Sequence, residues 1–278
     1  MALADHLREL RARLLKVALL LVVGTTVALF FYDQLFNLIL GPYNDARERL
    51  GESVDTEPYI AGAGGPLLLQ LKISALAALV LGSPLWLYQL WAFIVPGLHS
   101  SERRWTKLFA VVAGPLFMAG VALGYFVLPK GLQVLLSFTP ADVQSLLEFG
   151  DYFRFFTRML LVFGISFEIP LFVIMLSLAG VISGKALGQH RPWIILGTFV
   201  FAAVATPSTD PFSMIILALP MLVLFAISEI VARLVDRRRA KARRYDELDG
   251  LGDDEASPLS SERDPGDYRR SDLDEDED

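Results

Sequence analysis

The stretch FIVPGLHSSERRW, Phe93 to Trp105, decides the fold. Long apolar runs flank it on both sides. Pro96 and Gly97 stop one helix, and Ser100, Ser101, Glu102, Arg103 and Arg104 precede the next. A chain this apolar that breaks to present one carboxylate beside two arginines does so in water, because charges are costly in lipid. The stretch is therefore a polar hinge between two membrane-crossing helices, and the other segments are placed relative to it.

Composition agrees with that reading. Of the 278 residues, 54% are hydrophobic, the mean hydropathy is +0.47, and the apolar residues come in blocks long enough to cross a bilayer. The fold class is all-α, a polytopic membrane protein with one integrated membrane domain. Without cysteine there is no disulfide framework, thiolate metal site or thiol nucleophile. The net charge of −6 hides an asymmetry: residues 246–278 hold 15 acids against 3 arginines, whereas residues 1–245 hold 16 acids against 22 lysines and arginines. A basic body carries an acidic tail, whose Asp, Glu, Ser, Pro and Gly content predicts disorder.

Leu3, Leu7, Leu10 and Leu14 recur at helical spacing, which predicts an amphipathic helix on the membrane surface running into a first span, about 14–31. Asp5, Arg8, Glu9, Arg11 and Arg13 precede that span and no small-residue cleavage site ends it, so it is expected to be retained. Residues 32–71, with Pro42, Gly51, Gly62, Gly64, Gly65 and Pro66, have the composition of a polar loop. Further spans are expected at about 72–93, 108–127 and 155–181, the last two separated by a loop holding Pro129, Pro140, Asp142, Glu148 and Asp151. Two short ones, about 192–205 and 211–234, flank the turn TPSTDP. A helix over 192–205 reaches only about 21 Å, against a hydrocarbon core of about 30 Å. Six spans with a locally thinned bilayer is the preferred reading, and a re-entrant hairpin is the alternative. The membrane domain then covers residues 1–235, and 236–278 form a tail, basic at first and then acidic. With both termini cytoplasmic, 16 lysines and arginines of the body fall inside and 6 outside, the asymmetry expected of a multi-pass cell-membrane protein.

No catalytic constellation is present. His6, His99 and His190 lie far apart, and there is no HExxH, GxSxG, phosphate loop or dinucleotide fingerprint. No enzyme activity, cofactor, metal or nucleic-acid partner is expected. The carboxylates carry more. Glu9 and Glu102 belong to separate elements that both fall at the inner membrane boundary, where they can accept bidentate hydrogen bonds from arginines of a partner peptide. The alternative is internal pairing, Glu9 with Arg13 at i,i+4 and Glu102 with Arg103 or Arg104. Glu168, inside GISFEIPLFVIML, lies about 20 Å into its span. An acid there costs roughly 2.5–3.5 kcal/mol on insertion scales. It is either protonated and satisfied within the bundle, or it faces a partner or a proton path. Pro170 follows and frees a backbone carbonyl by removing an N–H donor. Gly120 and Gly124 form a helix-packing pair, and Pro84, Pro115 and Pro220 predict bent spans in a concave scaffold.

Five stretches then carry a resemblance: HLRELRARLL (6–15), SPLWLYQLWAFIVPGLHSSERR (83–104), FGISFEIP (163–170), RPW (191–193) and ATPSTDPFS (205–213). In that order they resemble the TatC family, the multi-span core of the twin-arginine protein translocase, over residues 3–235. The resemblance implies a six-span, glove-like protein that binds twin-arginine signal peptides. It further implies single-span TatA- and TatB-type partners, self-association in a larger complex, and export of folded proteins driven by the proton-motive force. It assigns Glu9 and Glu102 to the arginine pair, Arg11 and Arg13 to the basic N-terminal motif, and Phe93 and Pro96 to the first cytoplasmic loop. Glu168, with Pro170 beside it, corresponds to the intramembrane acid that meets a partner helix, and Thr206 and Asp210 to an outer turn. That turn departs from the family pattern: one extra residue precedes Asp210, and Met214 stands where some members have Gln, a position of partner contact. The competing functions are a proton-coupled small-solute transporter with Glu168 as relay, and a membrane enzyme. No other ionisable group continues a relay inside a span and no inverted repeat is visible, so export is the preferred function.

Overall fold

The computed structural model describes residues 3–50, 58–98, 103–137, 147–206 and 211–249. Its helices are α1 (Leu3–Leu29), α2 (Tyr32–Leu50), α3 (Gly65–Leu81), α4 (Ser83–Leu98), α5 (Arg103–Ser137), α6 (Phe149–Leu178), α7 (Gly184–Gln189), α8 (Arg191–Ala205) and α9 (Pro211–Asp249). Two-residue strands β1 (Pro58–Tyr59) and β2 (Leu147–Glu148) pair in parallel, Pro58 opposite Leu147, and so tie together the chain before α3 and before α6. The chain divides into two compact units, Met1–Ala232 and Arg233–Asp278. The described part of the second is the helical run 233–249, and the acidic tail beyond it lies outside the described residues.

The centre of the first unit is the seam between α5 and α6. A Cβ on Gly120 would sit 2.5 Å from the Phe163 carbonyl oxygen, and one on Gly164 would sit 2.7 Å from Phe117 Cε2. Small residues thus let the two backbones approach closely, as the Gly120/Gly124 spacing predicts, and without a hydrophobic drive in lipid such packing is what holds helices together. Phe117, Met159 and Phe163 are fully buried around it.

Three segments differ from the sequence expectation. The first is residues 32–71, expected as a loop, which contain α2. Its polar residues mask a buried face of Ile39, Tyr43 and Ala46 at helical spacing. Pro42 lies inside α2 and cannot donate to the Leu38 carbonyl. The Tyr125 hydroxyl of α5 donates to that oxygen instead, at 2.9 Å, and the Tyr152 hydroxyl of α6 donates to the Ile39 carbonyl.

The second difference lies at Gly82: the single span expected over 72–93, with a bend predicted at Pro84, is two separate helices bent by 59°. Pro84 cannot extend the α3 ladder, and the Trp86 indole N–H donates to the Leu79 carbonyl at 2.8 Å, which satisfies one orphaned group at the α3 terminus. The Pro84 ring packs so closely on Gly114 that a Cβ there would fall 2.9 Å from it. Third, α5 continues through Pro129 to Ser137, where a loop was expected.

Among the described residues, four helical stretches are long and apolar enough to cross a membrane: His6–Leu29, Val111–Ser137, Phe149–Leu178 and Ser213–Lys241. The bent pair Gly65–Leu81 and Ser83–Ile94 makes a fifth if it crosses as one span. The apolar helix α8, with 15 residues, is shorter. The chain is a multi-pass α-helical membrane protein.

Candidate functional site

Helical spacing puts His6, Glu9 and Arg13 on one face of α1, and that face meets α4. The His6 ring stacks on Phe93, with centroids 4.4 Å apart and planes 18° apart. Two turns further along α1, Arg13 Nη1 donates to Gln89 Oε1 at 3.3 Å. Position rises along α1 as it falls along α4, so the two helices run antiparallel here. Between these contacts, Glu9 Oε1 accepts from Arg13 Nε at 3.0 Å and from Arg13 Nη2 at 2.6 Å. Of the two alternatives for Glu9, internal i,i+4 pairing is the one present in this structure. The pairing is incomplete: among the described residues Glu9 Oε2 accepts no hydrogen bond, and the side chain is 36% exposed. Arg11 is exposed. Pro96 belongs to α4, while Glu102 lies outside the described residues.

Trp91 follows Gln89 by two positions and so faces the other side of α4, toward α6. It is buried, stacks on Phe109 at 5.6 Å and donates its indole N–H to Glu168 Oε2 at 3.4 Å. Glu168 Oε1 is buried and has no hydrogen-bond partner among the described residues. An intramembrane carboxyl with one long bond and one unmatched oxygen is costly in lipid, and another polar group near it would lower that cost. Pro170 is buried, and its carbonyl accepts from the Ser228 hydroxyl of α9 at 2.9 Å. Helix α4 therefore links the polar end of α1 with the buried carboxyl of α6.

At the last turn of α8, Thr206 is buried and donates to the Ala202 carbonyl at 2.8 Å. Met214 is half-buried in the first turn of α9, and Asp210 lies outside the described residues.

One pair escaped the sequence reading. Arg191, at the start of α8, donates from Nε and Nη2 to Glu229 Oε2 and Oε1 of α9, both at 2.7 Å. Glu229 is 8% exposed. The available signal was that Glu229 is the first charge to end the apolar run of the last span. Its partner lies 38 positions away, so spacing could not name it.

A family model for the Sec-independent protein translocase protein (TatC) matches residues 5–220. The chain belongs to the TatC family. TatC of Frankia casuarinae is 43% identical over 266 residues, 93% of this chain and 73% of that protein. TatC of Xylanimonas cellulosilytica is 38% identical over 87% of this chain and 88% of its own length. A crystal structure of the twin-arginine translocase receptor TatC is similar with a TM-score of 0.65 and 32% identity, covering 83% of this chain and 99% of that one. A second crystal structure of such a receptor, in DDM, gives 0.65 at 33% identity, over 82% and 99% of the two chains. TatC membership makes the chain a core translocase subunit and not an enzyme, and it disfavours the solute-transporter alternative built on Glu168.

Proposed function

We propose that this translocase subunit binds twin-arginine signal peptides at the polar ends of α1 and α4. With TatA- and TatB-type single-span partners, it exports folded proteins using the proton-motive force. The observation that carries this reading is Glu9: a carboxylate held in place by Arg13 through one oxygen, with the other open and the side chain partly in water. A guanidinium presents a planar fork of donors for which such an oxygen is a natural acceptor. Glu102, in the hinge that follows α4, supplies a second acceptor for the second arginine. Phe93 and Pro96 shape the approach, and Arg11 and Arg13 serve the N-terminal motif. The protein sits in the cell membrane with both termini cytoplasmic, as its basic residues favour. Six spans are completed by the bent pair and by the short α8 in a thinned bilayer.

Glu168 with Pro170, and the turn of Thr206, Asp210 and Met214, meet partner helices in this reading. The unmatched Glu168 oxygen supports it. Self-association adds further copies.

The test is export of a folded fluorescent reporter behind a twin-arginine signal peptide, in membranes that hold the full chain and its partners. Losing a charge-assisted hydrogen bond costs about tenfold or more. Glu9→Gln/Glu102→Gln is expected to cut export by at least that factor while inserting normally. Parental export by the inserted double variant overturns the docking site.

A further inference from the structure

Resting on the signal-peptide reading above, we propose that Gln89 is a positioning residue that keeps one oxygen of Glu9 open for an incoming guanidinium. It does so by holding Arg13 on the other oxygen. An arginine beside a carboxylate gains most from two parallel bonds, one to each oxygen. Arg191 does this on Glu229, where Nε and Nη2 reach separate oxygens at 2.7 Å. Arg13 offers the same two nitrogens to Glu9, yet both go to Oε1, at 3.0 and 2.6 Å.

The difference lies in the third nitrogen. Arg13 Nη1 donates to Gln89 Oε1 at 3.3 Å, across from α1 to α4. The guanidinium is planar and rigid, so turning it into the parallel fork would carry Nη1 away from Gln89. The His6–Phe93 stack one turn from Gln89 on α4 holds the helices together and keeps Gln89 in reach. The chemistry of Gln89 also fits. Its amide oxygen accepts from a guanidinium as a carboxylate does, but it carries no charge to draw Arg13 off Glu9. Glu9 then stays paired and ordered while its second oxygen faces water. An arginine of the peptide reaches that oxygen with a fork of donors, whereas a lysine brings a single point charge and gains less from the arrangement.

The experiment uses the full chain in lipid nanodiscs and fluorescent peptides carrying either a twin-arginine or a twin-lysine motif. Gln89→Leu removes the acceptor and lets Arg13 cover both oxygens. Kd for the twin-arginine peptide is expected to rise about tenfold, while Kd for the twin-lysine peptide stays within about twofold. Gln89→Glu adds a charge that competes with Glu9 for Arg13, and it is expected to bind the twin-arginine peptide more weakly than the parent. Because Gln89 acts through Glu9, adding Gln89→Leu to Glu9→Gln is expected to change nothing further.

Equal losses for both peptides would mark Gln89 as merely structural and overturn the proposal. So would parental binding by Gln89→Leu, or a full additional loss in the Glu9→Gln background. If Gln89→Leu fails to fold, Gln89→Met carries the same expectations. Parental binding by Glu9→Gln would overturn the docking site itself, and this proposal with it. Weak binding by Glu9→Gln with parental binding by Gln89→Leu would overturn this proposal alone.

Discussion

Among the described residues, two arginine–glutamate pairs stand near helix ends, and they are built differently. Arg191 and Glu229 join α8 to α9 through two bonds to two oxygens, and the Glu229 side chain is nearly buried. Glu9 and Arg13 lie on one helix, share a single oxygen, and leave Glu9 partly in water. The chemistry is the same, but one carboxylate is closed and the other has room. A closed pair serves the fold, since opening it strands a carboxylate away from water. An open pair holds its carboxylate in place at little cost and leaves it able to take a ligand.

The largest expected effect lies at the closed pair. Arg191→Ala deprives a buried carboxylate of its principal partner, whereas Glu229→Leu replaces it with an apolar group and leaves only a solvated arginine. Thermal unfolding in detergent should therefore show the larger drop for Arg191→Ala, by several degrees. Equal midpoints would mean that Glu229 is satisfied without Arg191. Next comes Arg191→Lys, which keeps the charge and loses the fork. It should lower the midpoint more than Arg13→Lys does, because only the closed pair uses both oxygens, and a reversed order would break the comparison.

Smaller still is the stability effect of Glu9→Gln. An exposed i,i+4 pair contributes about 0.3–0.5 kcal/mol, so unfolding should barely move while peptide binding falls. His6→Ala removes a stack worth about 0.5–1.5 kcal/mol. It should weaken peptide binding modestly through α4 and leave the Arg191–Glu229 end unaffected in hydrogen exchange.

Much of this was legible in the chain itself. The apolar blocks gave the class, Gly120 and Gly124 gave a close-packing face on α5 but not its partner α6, and the Glu9–Arg13 spacing gave the internal pair as one of two alternatives. What stayed hidden needed three dimensions. Helix α2 looked like a loop because Pro42 and its polar residues break the pattern, and only Tyr125, 87 positions away from Leu38, supplies the hydrogen bond that Pro42 withholds. Gln89 carries no charge and lies 76 positions from Arg13, so nothing in its local sequence distinguished it. The Gly82 bend was only half visible. Pro84 announced a change of direction, but the Trp86 indole that satisfies the broken end became apparent only once the chain was folded.

The most direct test of the account is photocrosslinking of a twin-arginine signal peptide to the full chain in membranes, with Glu9→Ala/Glu102→Ala beside the parent and insertion checked in parallel. The parent should give an arginine-dependent crosslink that a twin-lysine peptide does not give, and the inserted double variant should lose it. An inserted double variant that crosslinks as the parent does, or a parent that crosslinks both peptides equally, would contradict the claim that the open carboxylate at the end of α1 receives the signal.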